Sequence, residues 1–191
     1  MNQYHSTPTM VPPHLEATTC ASVHQAQLKK ALAEFAHEQL LRPTQEASSN
    51  AYCIYSDDGT IHYRFEATLL SLEHWWIEEA SIEKWKGAVQ LPLDLLEFVL
   101  EFKNQLQLSD QVLPTYLEEL TSTLYSQAYK ATNRRVPVAD LVEADFQQIE
   151  RAMLEGHPCF VANSGRIGFN SQDYKAYAPE AAQPFHRIWI A

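Results

Sequence analysis

Apolar residues recur at helical spacing in four segments of the chain. Each segment places an apolar side chain at every third or fourth position, with polar or charged residues between them. The segments are 22–41, 92–108, 111–130 and 138–154. This pattern predicts four amphipathic helices, and the short link between the second and third indicates a helical hairpin. Gly156 is placed to end the fourth helix in left-handed geometry.

Between the first two helical segments the periodicity changes to strict alternation. Residues 60–67 show it, residues 51–56 are strand-like in composition, and Asp58 and Gly59 between them form a favoured turn. We therefore predict an antiparallel hairpin. The HWWI run at 74–77 predicts a further strand, whose two tryptophans point to opposite faces. Such aromatic residues can stack on a ligand ring, but core packing is their more frequent use.

The two ends of the chain differ from its middle. Residues 1–20 are rich in proline and threonine and lack the basic start and apolar centre of a signal peptide. We expect them to form a flexible arm before a domain at 21–191. At the other end, HRIWIA at 186–191 is typical of a strand, and we expect strands within 158–191.

These elements together predict an α+β fold. An N-terminal helix and a small antiparallel sheet should pack with a helical group, and the chain should end in a glycine-bearing loop and strands. The length of 191 residues suits one domain or one domain with an extension.

Charge and cysteine content narrow the classes of partner. The net charge of -10 argues against a nucleic-acid or anionic-membrane surface, and no apolar run approaches the ~20 residues that span a bilayer. The three cysteines have no paired spacing, which suits a reducing compartment. We therefore expect a cytoplasmic protein without nucleic-acid or membrane partners.

The stretch 155–180 stands out from this acidic background. It contains three of the five glycines and several polar residues that could bind an anion. Gly165 allows close approach of backbone N–H groups, and Arg166 offers a planar fork for phosphate or carboxylate. His157 can donate to an oxyanion, and Asn163 and Ser164 can add neutral hydrogen bonds. A tight β-hairpin with a structural arginine fits these residues equally well.

A metal-binding protein is a weaker alternative. It would use His62, His74 and His157, but the eight histidines are scattered and no pair has the spacing of a zinc site. His157 and Cys159 form an isolated HxC pair, which is a weak signal. We therefore predict no metal site on this chain.

Three motifs follow one another in this stretch: EGHP at 155–158, RIGF at 166–169 and YAPE at 177–180. In order and spacing they resemble the signature of the NRPS-independent siderophore synthetases, the aerobactin-synthetase-like family. The upstream hairpin, the HWWI run and the paired helices also resemble the N-terminal region of that family. Two positions depart from it: Phe160-Val161 replaces a second His-Pro pair, and Ser164 stands where many members have lysine.

The resemblance implies an enzyme that uses ATP and Mg²⁺ to adenylate a carboxylate, usually of citrate, and then condenses it with an amine or alcohol. It implies nucleotide-phosphate contacts from the loop, with Arg166 the strongest candidate. The implied phosphate-binding residues are His157, Asn163, Ser164, Gly165 and Arg166. The other implied partners are the remainder of a longer synthetase chain and a second copy in a homodimer.

Family members are much longer than this chain. We therefore expect residues 21–191 to be a thumb-like N-terminal domain of a larger synthetase that is inactive alone. The alternative, from another functional class, is a non-catalytic α+β interaction or scaffold module with an acidic helical face.

Overall fold

The computed structural model describes residues 11–133, 136–152, 156, 157 and 159–181. Five α-helices and six strands lie in these ranges. The helices are α1 Ala17–His37, α2 Leu95–Glu101, α3 Leu113–Asn133, α4 Phe146–Ala152 and α5 Ser171–Tyr177. The strands are β1 Thr44–Gln45, β2 Ala51–Tyr55, β3 Ile61–Leu69, β4 Trp75–Ile77, β5 Glu83–Lys86 and β6 Val89–Leu91. The α+β prediction is confirmed.

The sheet is antiparallel and centres on β3. Its order is β1-β2-β3-β5-β6, and β4 pairs with the far end of β3. The predicted hairpin is β2 and β3, in register with Ile54 opposite Tyr63. On β3 the apolar residues Ile61, Tyr63 and Phe65 are buried, because alternate side chains face the core. The predicted HWWI strand is β4, with Trp76 61% exposed and Trp75 half-buried.

The core lies between the sheet and helices α1, α2 and α3. Leu28 and Leu32 from α1 meet Phe98 and Val99 from α2, and Leu120 from α3 completes the cluster. The helix predicted at 92–108 begins at Leu95, because the Asp94 side chain accepts hydrogen bonds from the amides of the first turn. The α2 helix ends at Glu101 and leads through turns to α3.

A buried charge lies inside this layered core. Lys84 on β5 is 2% exposed, and its Nζ lies 2.6 Å from Glu97 Oε2 and 2.7 Å from Glu101 Oε1. Tyr63 Oη donates to Glu101 Oε2 at 2.8 Å. Burial opposes the charge on Lys84, but the hydrogen bonds to Glu101 and Glu97 outweigh it and raise the pKa. We call Lys84, Glu97, Glu101 and Tyr63 the core ion cluster.

Within the flexible arm predicted at 1–20, residues 13–15 and 17–20 are helical. A 3-10 turn forms at Pro13–Leu15 and α1 already begins at Ala17, with Glu16 as its N-cap. His14 is buried, and its ring packs edge-on against Tyr125 and Tyr129 of α3. This packing explains why the arm does not extend to residue 20. Residues 1–10 lie outside the described part of the chain.

The helix predicted at 138–154 is divided. A 3-10 turn occupies Val138–Leu141, and α4 begins at Phe146. Asp145 stops a continuous helix, because its carboxylate accepts the amide of Gln148 while the Gln148 side chain accepts the amide of Asp145. Residues 153–155 lie outside the described part.

The prediction that Gly156 ends a helix in left-handed geometry is wrong. The described glycines with positive φ are Gly59, Gly87 and Gly168. A Cβ at Gly156 would lie 2.7 Å from the Asn163 carbonyl oxygen, so this glycine permits close packing instead.

The described residues after 158 do not form the expected strands. Residues 159–181 contain loops, α5 and a 3-10 turn at Pro179–Ala181. Asn170 and Asp173 make a reciprocal capping box that starts α5. The strand predicted at 186–191 lies outside the described residues. The glycine-bearing loop is present, at 159–170.

Candidate functional site

The loop at 164–168 lies along one polar face of α3. The backbone amide of Ser164 donates to Thr123 Oγ1 at 3.3 Å, and that of Arg166 donates to Ser122 Oγ at 2.9 Å. The amide of Gly168 donates to Glu118 Oε1 at 3.2 Å. Every second amide of the loop is therefore held by a side chain of α3, which replaces the backbone ladder of a strand.

Two more side chains continue this face of α3. Ser126 accepts a hydrogen bond from Tyr174 Oη at 3.0 Å, and Lys130 Nζ lies 3.4 Å from Ser164 Oγ. Ser126 and Thr123 are fully buried, and Lys130 is 2% exposed. We call this row the α3 polar ladder: Glu118, Ser122, Thr123, Ser126 and Lys130. It positions the loop on one side and α5 on the other.

Gly165 is required by the closeness of this docking. A Cβ at Gly165 would lie 3.0 Å from Glu119 Cβ and 3.2 Å from the Glu119 carbonyl oxygen. These contacts are tight, so a side chain here would require the loop or α3 to shift by a few tenths of an ångström. The sequence prediction gave Gly165 the role of exposing amides to a ligand. The structure shows a contact with the helix at this residue.

Arg166 extends from the loop toward the C-terminal side of the site. Its Nη2 donates to both carboxylate oxygens of Glu180, at 2.7 and 2.8 Å, and its Nη1 donates to the Ser164 carbonyl at 3.2 Å. Its guanidinium carbon lies 5.6 Å from the centre of the Tyr174 ring. The side chains of Arg166 and Glu180 are 22% and 11% exposed, so this ion pair is well shielded. The guanidinium is thereby held in one orientation.

Arg166 also lines a cavity of about 390 Å³ between α3, the loop and α5. Ser122, Tyr125, Asn170 and Tyr174 contribute to its wall. Burial raises the pKa of Tyr174 to about 12, more than its hydrogen bond to Ser126 lowers it. The cavity therefore presents a neutral phenol, hydroxyl and amide groups, the Glu118 carboxylate and one edge of a fixed guanidinium.

His157 and Asn163 line a different cleft, of about 590 Å³, on the α1 side of the loop. The Cys159 amide donates to His157 Nδ1 at 3.2 Å, so the neutral imidazole carries its proton on Nε2. Lys30 Nζ donates to the His157 carbonyl at 3.1 Å. Burial and the Glu34 carboxylate raise the pKa of the Cys159 thiol, which disfavours a reactive thiolate.

The five predicted site residues thus divide between two sides of the loop. His157 and Asn163 come together in the larger cleft, and Arg166 lies in the smaller cavity. Ser164 is buried between them and faces Lys130. The alternative prediction of a β-hairpin with a structural arginine is wrong for the described loop, which is not a strand pair, although Arg166 does make a structural ion pair.

The sequence prediction missed the α3 polar ladder. Its serine, threonine and lysine residues lie at positions where a helix in solvent would also be polar. The available signal was that Thr123 and Ser126 fall beside the apolar face of Leu120 and Leu124, where a buried hydroxyl needs a partner.

The alternative metal site is not assembled. In the described ranges, no group of three or more His, Cys, Asp and Glu side chains could hold a metal ion. His74 instead stacks on His37 with ring centroids 4.3 Å apart, and His62 lies beside Tyr55 on the sheet. In the same ranges no helix is both long and apolar enough to cross a membrane.

Known proteins match both the stretch that contains this loop and most of the rest of the chain. The model of the IucA / IucC family matches residues 145–191. Putrebactin synthase from Shewanella sp. (strain MR-4) is 43% identical over 184 residues, which is 95% of this chain. Over these residues the chain matches the IucA / IucC family. It spans 29% of the length of that relative.

Two solved structures of IucA / IucC proteins share the fold. Aerobactin synthetase IucC from Klebsiella pneumoniae superposes with a TM-score of 0.73 at 24% identity, over 85% of this chain and 29% of that one. ATP-bound aerobactin synthetase IucA from the same organism gives a TM-score of 0.55 at 20% identity, over 84% and 29%. The IucA / IucC relatives are siderophore synthetases, so the family resemblance found in the sequence is confirmed.

Proposed function

We propose that the protein that carries this chain is an ATP-dependent siderophore synthetase. It adenylates a carboxylate, of citrate or a citrate derivative, and condenses it with an amine or alcohol. The observation that carries the proposal is the 43% identity to a putrebactin synthase across 95% of this chain. The ATP bound to aerobactin synthetase IucA, a relative of the same fold, supports the choice of nucleotide.

Arg166 is the residue that we assign to the nucleotide phosphates. A guanidinium has five N–H donors, and those of Nη1 and Nη2 contact Ser164 and Glu180. Nε makes no hydrogen bond to any described residue, and the side chain borders the 390 Å³ cavity. The ion pair with Glu180 lowers the net positive charge of the site, but it fixes the plane of the Arg166 guanidinium. A fixed guanidinium plane is what bidentate recognition of a phosphate requires.

His157 and Asn163 are proposed to contact the phosphate chain from the other side of the loop. The amide of Cys159 fixes the tautomer of His157, so Nε2–H is available as a neutral donor. Asn163 Nδ2 lies 3.5 Å from the His157 carbonyl, which keeps the two side chains together. These donors suit an extended polyanion that crosses the loop more than a single compact anion.

Ser164 and Gly165 would act through the position of the loop. The hydroxyl of Ser164 faces Lys130, and Gly165 lies against Glu119. Lys130 thereby brings an ammonium group to the position where many family members have a lysine in the loop itself. We propose that these residues hold Arg166 and His157 at the spacing that the phosphates need.

Mg²⁺ is proposed to bind with the nucleotide and not in a cage formed by this chain. Mg²⁺ commonly binds through phosphate oxygens, waters and one or two carboxylates. The described residues offer no group of three or more metal-binding side chains. When bound, the ion would neutralise phosphate charge, while Arg166 orients the phosphate oxygens.

The remaining proposals concern the context of this domain. We propose that residues 21–191 form a thumb-like domain, that the rest of a synthetase supplies the other substrate-binding groups, and that the protein works in the cytoplasm as a homodimer. Because the chain spans 29% of its putrebactin synthase relative, we expect it to be inactive alone.

A substitution series at Arg166 tests the assignment in the protein that carries this chain. With ATP, Mg²⁺, citrate and hydroxylamine, we expect Arg166→Ala to lower hydroxamate formation roughly 10²–10³-fold, as loss of one preorganised donor does. Arg166→Lys should fall in between, because it keeps the charge but loses the fork. Lys175→Ala on the exposed face of α5 is the matched control and should keep full activity.

Two outcomes would contradict these proposals. Full activity in Arg166→Ala would remove this residue from the phosphate site. Absence of ATP-dependent hydroxamate with all tested carboxylates would remove the synthetase function and favour a non-catalytic scaffold. Clear turnover by the isolated 191-residue chain would show that no further domain is needed.

A further inference from the structure

The larger cleft beside the loop, of about 590 Å³, is lined by acidic side chains. Glu34 near the end of α1 and Glu38, the C-cap of that helix, lie four residues apart, and Glu119 of α3 also lines the cleft. Acidic side chains at the C-terminal end of a helix oppose its dipole, so this pair does not serve the stability of α1. The described residues of the lining include these three glutamates and neither lysine nor arginine. We call this space the acidic cleft.

Two of the three carboxylates of the acidic cleft are available to a ligand. The side chains of Glu38 and Glu119 make no ion pair and no hydrogen bond with any described residue. Glu34 differs, because its carboxylate accepts a hydrogen bond from the Cys159 thiol. Lys30 does not line the cleft, and its Nζ donates to the His157 carbonyl at 3.1 Å. The acidic cleft therefore keeps a negative charge that the described residues do not neutralise.

Asn163 adds an unused hydrogen-bond acceptor to the same cleft. Its Nδ2 lies 3.5 Å from the His157 carbonyl, whereas its Oδ1 is shielded from solvent and accepts no hydrogen bond from a described residue. A shielded oxygen without a donor is costly, because it has lost its contacts with water and gained none in return. An amide oxygen and ionised carboxylates can only accept hydrogen bonds, so the matching ligand is one with several N–H donors.

Much of the remaining wall of the acidic cleft is apolar or aromatic. Phe35, Leu40 and Tyr116 are half-buried in it, and Phe160 is 64% exposed. Burial and the charge of Glu119 raise the pKa of Tyr116 to about 12, so a neutral phenol lies near a carboxylate. An ammonium group is attracted both by carboxylates and by the faces of aromatic rings. An alkyl stem attached to that group packs against apolar side chains.

We propose that the acidic cleft binds the nucleophile of the condensation as an alkylammonium ion, and thereby selects an amine over an alcohol. The inference rests on the proposed function and narrows it, since a neutral alcohol gains no charge attraction from Glu38 and Glu119. An alkyl amine carries a proton at neutral pH, as the lysine side chain does. The same carboxylates repel phosphates, which confines the nucleotide to the loop side of His157.

Calorimetry with pentylamine and pentanol measures this selection without any reaction. At neutral pH the protein that carries this chain should bind pentylamine at least roughly tenfold more tightly than pentanol, because only the ammonium makes charge-assisted hydrogen bonds. The double variant Glu38→Gln, Glu119→Gln should lose that preference, and each glutamine keeps the length of the side chain, including the Glu119 Cβ beside Gly165. Glu143→Gln removes a charge at an exposed position outside the cleft and should bind pentylamine as the wild type does. Equal binding of pentylamine and pentanol, or a preference that survives in the double variant, would overturn the amine site.

Product formation separates failure of this site from failure of the synthetase function. Hydroxylamine is uncharged at neutral pH, so its hydroxamate reports adenylation of the carboxylate independently of the acidic cleft. With ATP, Mg²⁺ and citrate, the double variant should raise the KM for pentylamine at least roughly tenfold while hydroxamate formation persists. An unchanged KM for pentylamine beside normal hydroxamate formation would refute the amine site alone. Absence of hydroxamate from the wild type would refute the proposed function, and with it the role of the amine as a substrate.

Discussion

Lys84 and Lys130 are equally buried, at 2% exposure, yet they stabilise different things. Lys84 joins strand β5 to helix α2 through two carboxylates, Glu97 and Glu101. Lys130 reaches from α3 to the hydroxyl of Ser164, in a loop 34 residues later in the chain. The first contact lies inside the sheet-and-helix core, and the second lies at the edge of the proposed phosphate site. Burial of a lysine is therefore compatible with either a structural or a positioning role, and its partners distinguish them.

The largest expected effect comes from breaking the core ion cluster. Lys84→Ala leaves the buried Tyr63 and the 20% exposed Glu101 without their cation, and we expect a loss of about 3–5 kcal/mol in the free energy of unfolding. The measurement is the denaturation midpoint in urea. Lys86→Ala, at an exposed position on the same strand, is the control and should stay within about 0.5 kcal/mol of wild type. Equal stability of the two variants would show that the cluster adds nothing.

A smaller and more local effect is expected at the α3 polar ladder. Thr123→Val removes the acceptor of the Ser164 amide and should cost about 1–3 kcal/mol. Hydrogen exchange should quicken at Ser164 and Arg166 while the amides of β3 stay protected. Thr121→Val is the control, because that exposed hydroxyl donates to its own helix at Leu117. If Thr123→Val instead reduced hydrogen-exchange protection uniformly across the chain, the α3 polar ladder would stabilise the whole fold and not the loop alone.

The smallest expected effect is a difference in absorbance between Tyr63 of the core ion cluster and Tyr174 beside the α3 polar ladder. Burial raises the pKa of Tyr174 to about 12, and burial with Glu101 raises that of Tyr63 still further. The folded state thus favours the neutral phenols, so their contribution to stability is full below pH 10 and declines as pH rises through the folded pKa. Tyr174→Phe should remove tyrosinate absorbance that appears near pH 12. Tyr63→Phe should remove absorbance that appears on unfolding, and an identical titration of both variants would contradict the difference.

The sequence predicted best those elements that local pattern determines. The β2–β3 hairpin and β4 follow from alternation and turn chemistry, and α1 and α3 follow from helical periodicity. The family motifs directed attention to Arg166, whose surroundings are polar and partly enclosed. These features depend on neighbours within about one turn or one strand pair.

The features that the sequence analysis did not predict depend on contacts between distant residues, or on local signals other than apolar periodicity. Nothing in the local pattern shows that Thr123 meets Ser164 of the loop 41 residues later, or that Ser126 meets Tyr174 of α5 48 residues later. The capping box of Asn170 and Asp173, in contrast, was a readable local signal for α5. Val142 and Phe146 have helical spacing but are both 75% exposed, so periodicity there did not indicate burial.

Gly165 has a consequence that reaches beyond its own position. Its hydrogen lies where any other residue would place a carbon 3.0 Å from Glu119 Cβ, and Arg166 follows directly along the chain. Because Gly165 has no side chain, the loop can lie close to α3, and this close docking sets the position of the Arg166 guanidinium. We expect Gly165→Ala to shift the loop and with it the Arg166 guanidinium while every polar side chain of the site is kept, so a loss of function in this variant would have a steric origin.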